Sequence, residues 1–142
     1  RDAKLEIIQL RKEPMVLICH PNHPLRKNKS VKVSAIAGQK FIAFEPDIPT
    51  RKAIDKVLRE HGVQVVPVME FDNVETVKRA VEIDAGISIV PETTVKQEVG
   101  KQTLAALPIS DADLNRPLAV IHKKNKVLST AMKQFVAMLK ED

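Results

Sequence analysis

Apolar and polar positions along the chain change period from block to block, and the change is sharpest between residues 71 and 91, FDNVETVKRAVEIDAGISIVP. Val74, Val77, Val81 and Ala85 recur at helical spacing and make one apolar face. Asp72 or Asn73 stands where such a helix needs its N-cap, and Glu75 follows Asp72 at the spacing of a capping box. Gly86 is expected in the left-handed position that closes the helix. Ile87, Ser88, Ile89 and Val90 then predict a short buried strand, which Pro91 stops and after which a helix can begin.

Upstream, residues 4–10 predict a strand that runs into charged residues 11–13, and Pro14 is expected to break it. Residues 15–19 are apolar throughout and predict a second strand covered on both faces. A turn-rich loop at 20–25 and a basic loop lead to a helical piece at 34–37, closed by Gly38. Residues 41–44 predict a third strand, and the Pro-rich segment 45–49 feeds a helix with Ile54, Val57 and Leu58 inward and Gly62 as its stop. Residues 63–69 are strand-like, with Pro67 arguing for a sheet edge. A short helix over 92–99 ends at Gly100. Strands over 104–109 and 117–122 follow, the first weakened by Pro108. Ser129 caps a final helix that carries Met132, Phe135, Val136 and Leu139 on one face.

Strands alternating with helices over 41–90 argue for an α/β architecture with a mostly parallel sheet. Ligands of open α/β sheets sit beyond the carboxyl ends of the strands. Val90, Pro91 and the loop at Asp72 and Asn73 are therefore the first places to expect a small molecule. A purely structural helix–strand unit is the competing reading.

Composition narrows this picture. With 142 residues the chain has room for one or two small lobes. Apolar residues make 44% and charged residues 29%, a soluble globular balance. No apolar run reaches the length of a membrane span. The chain starts at Arg1 without a signal-peptide pattern, which suggests a processed or cut chain. The single cysteine, Cys19, lies in an apolar run and is expected to be buried and inert, which fits a reducing, cytoplasmic setting. The net charge is +5, and Arg26, Lys27, Lys29 and Lys32 cluster, as do Lys123, Lys124 and Lys126. With no Trp or Tyr and four Phe there is no stacking platform for single-stranded nucleic acid, so both clusters read as solvated loops.

The segment EPDIPTR (45–51) is the most interesting polar stretch. At a helix start, Thr50 and Arg51 offer a hydroxyl, a guanidinium and free backbone N–H groups to an anion. Equally, Thr50 can help to cap the helix while Arg51 is solvated. His20 and His23 lack carboxylate or thiolate company and give only a weak metal signal. His61 and His122 read as structural, and no metal or cofactor is expected. No GxSxG, Walker A, GxGxxG or HExxH pattern is present. Glu70 and Asp72 lie close together without a basic or nucleophilic neighbour, so no enzyme activity is expected.

Four stretches resemble the C-terminal effector-binding half of LysR-type transcriptional regulators. EPMVLICHPNHPL (13–25) is similar to the family's strand and "hHPL" loop. FIAFEPDIPTRKAID (41–55) resembles its strand, ligand loop and helix. FDNVETVKRAVEIDAGISIVPETTV (71–95) resembles its helix, glycine turn and following helix, with Ser88 in place of the common second glycine. RPLAVIHKKNKVLSTAMKQFVAML (116–139) resembles its closing strand and last helix. The resemblance implies a lobe like those of type 2 periplasmic binding proteins, with a mostly parallel sheet flanked by helices. Crossing strands and a terminal helix would belong to an incomplete other lobe. Residues 10–115 would be the effector lobe, with 1–9 and 116–142 belonging to the crossings and the other lobe. The DNA-binding domain would lie outside the chain. Effector contacts are implied for Glu45, Asp47, Thr50, Arg51, Asp72, Asn73, Val90 and Pro91. The expected partners are a small effector, carboxylate or oxyanion, and a homo-oligomer formed through residues 49–61 and 63–69. DNA would be reached only through the absent domain, and no membrane partner is expected. The final helix would pack on another chain, fold back or be mobile. A solute receptor of a transporter, which shares the fold, is the alternative.

Overall fold

The computed structural model describes residues 5–123, with side chains for residues 12–116. The elements run β1 (Leu5–Cys19), β2 (Lys40–Phe44), α1 (Pro49–Glu60), β3 (Val66–Phe71), α2 (Val74–Glu82), β4 (Ser88–Pro91), α3 (Lys96–Lys101), β5 (Ala105–Leu107) and β6 (Asn115–Lys123). Short 3-10 turns occupy Pro24–Lys27, Val33–Ile36 and Glu92–Val95. The final helix expected after Ser129 lies outside the described residues.

β1 is one continuous strand where the sequence suggested two. Pro14 does not break it, because the ladder changes partners there. Up to Pro14, which faces Asn115, β1 pairs antiparallel with β6. From Met15 onward it pairs with β4 on one side, and from Leu17 with β5 on the other. A missing N–H is tolerated at such a changeover. The next N–H, that of Met15, donates to the Leu114 carbonyl at 3.0 Å.

β2 and β3 are parallel neighbours. A parallel bridge from Phe41 to Ile87 joins β2 to the strand leading into β4. Its hydrogen bonds run from Ile42 N–H to the Ile87 carbonyl and from Ile87 N–H to the Lys40 carbonyl, both 2.8 Å. The layer thus reads β3-β2-β4-β1-β5. Its 40–91 part is parallel, as alternation of strands and helices predicts. β1 runs against its neighbours because it enters from the long β1–β6 pair and not through a crossover helix.

The core follows the apolar pattern. Met15 to Cys19 are buried on both faces, and Ile42, Phe44, Ile54, Val77, Val81, Ile87 and Ile89 are sealed between sheet and helices. Burial pushes the Cys19 thiol up to about 11, so it stays protonated and unreactive at neutral pH. β3 is an edge strand, as Pro67 predicts, and it leaves Val66, Val68 and Met69 exposed.

Three local readings need correction. Asn73 caps α2, its Oδ1 accepting from the Thr76 N–H at 2.9 Å, but Glu75 does not complete a capping box and pairs with Lys78 instead. The left-handed residue after α2 is Asp84 (φ 62°), not Gly86. A Cβ on Gly86 would lie 2.8 Å from the Lys40 carbonyl oxygen, so glycine is there because β2 comes close. Finally, α3 runs through Gly100 and ends at left-handed Gln102 (φ 63°).

Candidate functional site

β2, β3 and β4 run the same way, so their carboxyl ends fall on one edge of the sheet. The Glu45 N–H donates to the Phe71 carbonyl at 2.9 Å and ties the ends of β2 and β3 together. The loop at 45–48, the Asp72–Asn73 turn and the turn after Pro91 therefore share this edge. The amino-terminal ends of α1 and α2 lie there too. The α2 end is capped by Asn73, whereas α1 starts at Pro49 behind Ile48 with no side-chain cap. At this helix start the Arg51 and Lys52 N–H groups turn back onto the Ile48 carbonyl at 3.0 and 3.3 Å, so what α1 presents to this edge is the positive end of its dipole.

The residues singled out from the sequence divide into three groups. Glu45, Asp47, Asp72 and Asn73 are exposed on the loops. Val90 and Pro91 are buried at the end of β4. Thr50 is fully buried beneath the start of α1, so it lies inside the lobe. Arg51 is neither solvated nor idle. Its Nε donates to Asp55 Oδ2 at 2.9 Å, and its Nη1 donates to the Phe44 carbonyl at 2.7 Å and to Glu70 Oε2 at 3.2 Å. The guanidinium thus fastens α1 to the ends of β2 and β3.

Two polar clusters border the edge, and neither stood out in the sequence. Lys78 lies on α2 and is only 4% exposed. Its ammonium donates to the Thr94 carbonyl at 2.7 Å and pairs with Glu75 and Glu98, each at 2.9 Å. Arg79 adds a 2.8 Å bond to Glu98. Burial pushes the Glu98 carboxyl up, but the hydrogen bonds from Lys78 and Arg79 outweigh it and leave it below the ordinary carboxylate range. Glu75 and Lys78 show the i,i+3 spacing that could have flagged half of this cluster. The second cluster is Glu13 on β1, Arg116 on β6 and Thr93. Arg116 Nη2 reaches Glu13 Oε1 at 2.7 Å, with Nε on the same oxygen at 3.2 Å, and both side chains are buried. The Thr93 hydroxyl donates to the other oxygen of Glu13. Partners this far apart in sequence leave no local signal.

Among the described residues, no group of three or more His, Cys, Asp or Glu side chains is arranged to hold a metal ion. No described helix is long and apolar enough to cross a membrane. A cavity of about 940 Å³, lined by His20, Arg26, Lys29 and β5, lies at the opposite end of the sheet, near the end of β1. It does not touch the strand-end edge. That edge is an open surface of a single lobe and would become enclosed only with a second surface over it.

The family model described as LysR substrate binding domain matches residues 1–142. The RuBisCO operon transcriptional regulator of Acidithiobacillus ferrooxidans is 31% identical over 126 residues, which are 89% of this chain and 41% of that protein. The chain thus spans less than half the length of this curated relative. Among solved structures, the Synechocystis PCC6803 CcmR regulatory domain in complex with 2-PG superposes with a TM-score of 0.72 at 26% identity, covering 93% of this chain and 65% of that one. The effector binding domain of QuiR in complex with shikimate gives 0.71 at 24% identity, covering 93% and 63%.

Proposed function

Because the chain belongs to the LysR substrate binding domain family, we propose that it senses a small effector at the edge where β2, β3 and β4 end, on behalf of a transcriptional regulator. Its family and relatives are regulators and not enzymes. They also favour a regulator over a transport receptor. The observation that carries the reading is the convergence of three strand ends and the uncapped start of α1 on one edge.

The positive dipole end at the start of α1 suits an anion, so the effector is a carboxylate or another oxyanion. Exposed Glu45, Asp47 and Asp72 repel a ligand that is anionic all over, yet accept hydrogen bonds from hydroxyl groups. A hydroxylated carboxylate fits both demands. Thr50 and Val90, both fully buried, support the edge from beneath, Arg51 holds the loop, and Pro91 ends β4 beside it. Residues 10–115 form the effector lobe, and the long β1–β6 pair crosses towards a second lobe built in part from 1–9 and 116–142. Closure of the two lobes over the ligand shifts the population of regulator geometries on DNA, which the protein reaches through a domain outside this chain. The setting is the cytoplasm.

Titrating the intact regulator with shikimate and with 2-PG tests this. Saturable binding should perturb amide signals of Glu45, Asp47, Ile48, Asp72, Asn73 and Val90. Perturbation confined to the groove around His20 and Arg26 would overturn the placement. Arg51→Ala should weaken binding about tenfold through the loosened loop, and an unchanged Kd removes Arg51 from the site.

The exposed edge of β3 supports a second proposal, a homodimer formed through α1 and β3. Val66 and Val68 are 49% and 41% exposed, apolar surface on an edge strand. Val68→Lys should weaken self-association at least about tenfold in sedimentation equilibrium, about 1.4 kcal/mol. A wild-type dimer constant would exclude this face.

A further inference from the structure

We infer that Thr93, Glu13 and Arg116 form a polar link through which the turn after β4 positions the two crossing strands. Its functional consequence rests on the effector reading above; its structural content does not.

Glu13 and Arg116 face each other in the β1–β6 register at the point where the long pair leaves the sheet. Their side chains are 8% and 7% exposed as whole residues, so the ion pair is largely removed from water. The carboxylate is divided between two structures. One oxygen accepts both bonds from Arg116, at 2.7 and 3.2 Å, and the other accepts from the Thr93 hydroxyl. Thr93 belongs to the turn Glu92–Val95, directly after Pro91 at the candidate effector edge. The same turn is held on its other side, where Lys78 donates to the Thr94 carbonyl and the Thr94 hydroxyl donates back to the Pro91 carbonyl. A continuous polar path therefore runs from α2 through the turn to both crossing strands.

Stability alone does not account for this arrangement. A buried ion pair holds two strands no better than well-packed apolar side chains would, because removing the charges from water offsets their attraction. What the charges add is direction. Separating Glu13 from Arg116 leaves an uncompensated buried charge, which keeps the two strands paired, and the Thr93 hydroxyl on the second carboxylate oxygen ties the turn to that fixed pair. A ligand that shifts Pro91 and its turn displaces Thr93, hence the Glu13 carboxylate, hence the crossing of β1 and β6. Thr93 is the positioning residue of this path, and it lies on the surface, where valine fits without repacking.

The test is amide hydrogen exchange on the intact regulator, without ligand, for wild type, Thr93→Val and Glu13→Gln. Thr93→Val should speed exchange at Lys12, Glu13, Met15, Asn115 and Arg116 at least about fivefold while amides at 41–44 keep their protection, and Thr93→Ser should restore the wild-type rates. Glu13→Gln should loosen both the crossing strands and the turn at 92–95. Unchanged exchange in the crossing strands of Thr93→Val overturns the link. In parallel, small-angle scattering follows closure on addition of shikimate or 2-PG. Thr93→Val should bind within about threefold of the wild-type Kd yet lose most of the closure, and full closure in that variant also overturns the link. If the wild type binds neither probe, the effector reading fails at that step, and the exchange result still decides the link.

Discussion

Replacing Phe44 with alanine is expected to remove about 3–5 kcal/mol of folding stability, the usual range for truncating a buried phenylalanine. Phe44 is fully buried at the last position of β2, and its carbonyl accepts the 2.7 Å bond from Arg51. The cavity left by the ring would open where β2, β3 and the start of α1 meet, beneath the 45–48 loop. A domain of this size has about 5–15 kcal/mol of total stability, so a large fraction would be lost. Urea titration followed by circular dichroism measures the effect. Phe44→Leu should cost less than Phe44→Ala, since it leaves a smaller void. If the two variants unfold at the wild-type midpoint, Phe44 is not the keystone that its burial implies.

Gly86→Ala is expected to destabilise by about 1–3 kcal/mol, the range for forcing extra volume into a packed interior. The sign is informative. Where alanine fits the native backbone, replacing glycine stabilises by about 0.4–1 kcal/mol, because the unfolded chain becomes less free. Gly86 has no positive φ that would oppose a side chain. The obstacle is contact: the added carbon would lie 2.8 Å from the Lys40 carbonyl oxygen and 3.2 Å from Ile42 Cδ1. The same carbonyl accepts the Ile87 N–H at 2.8 Å, so β2 cannot retreat without breaking the bridge between the strands. Gly100, with nothing within 4 Å of its would-be Cβ, is the control, and Gly100→Ala should be neutral or stabilising. A Gly86→Ala protein as stable as wild type would mean that β2 yields. Gly86→Asn separates the two readings of this glycine. A left-handed cap tolerates asparagine, whereas a site crowded by backbone rejects it more strongly than alanine.

That contrast shows where the chain can be read directly and where it cannot. The spacing of Val74, Val77 and Val81 is a local property of a helix, and the structure buries the last two as the spacing predicts. The unbroken apolar run 15–19 likewise announces a strand covered on both sides. Ladder partners are not local. Nothing around Pro14 reveals that β1 exchanges β6 for β4 and β5 there, so a residue that ends most strands appeared to end this one. The sequence places Gly86 in a left-handed helix cap, because a close approach by residues 40–42 is invisible from its neighbours. The loops of the candidate site were legible, since strand ends and helix starts are marked by Pro, Asp and Asn. The role of Arg51 was not: its partners Asp55 and Glu70 come from two elements, and only Asp55 lies at a helical spacing. Lys78 is the clearest case. Within a helical pattern it reads as a solvated charge, yet it is buried because Thr94 and Glu98 fold over it.

The seclusion of Cys19 makes the chain its own reporter. It is the single sulfhydryl in these 142 residues, it is fully covered, and its high pKa leaves little thiolate at neutral pH. A disulfide reagent in solution can modify it only while the sheet is open at the junction of β1 and β5, where Cys19 faces Ala105. The labelling rate therefore measures how often that junction opens, residue-specifically and without any engineered dye. Each variant discussed above can be ranked on that clock, in the absence of denaturant and of any known effector.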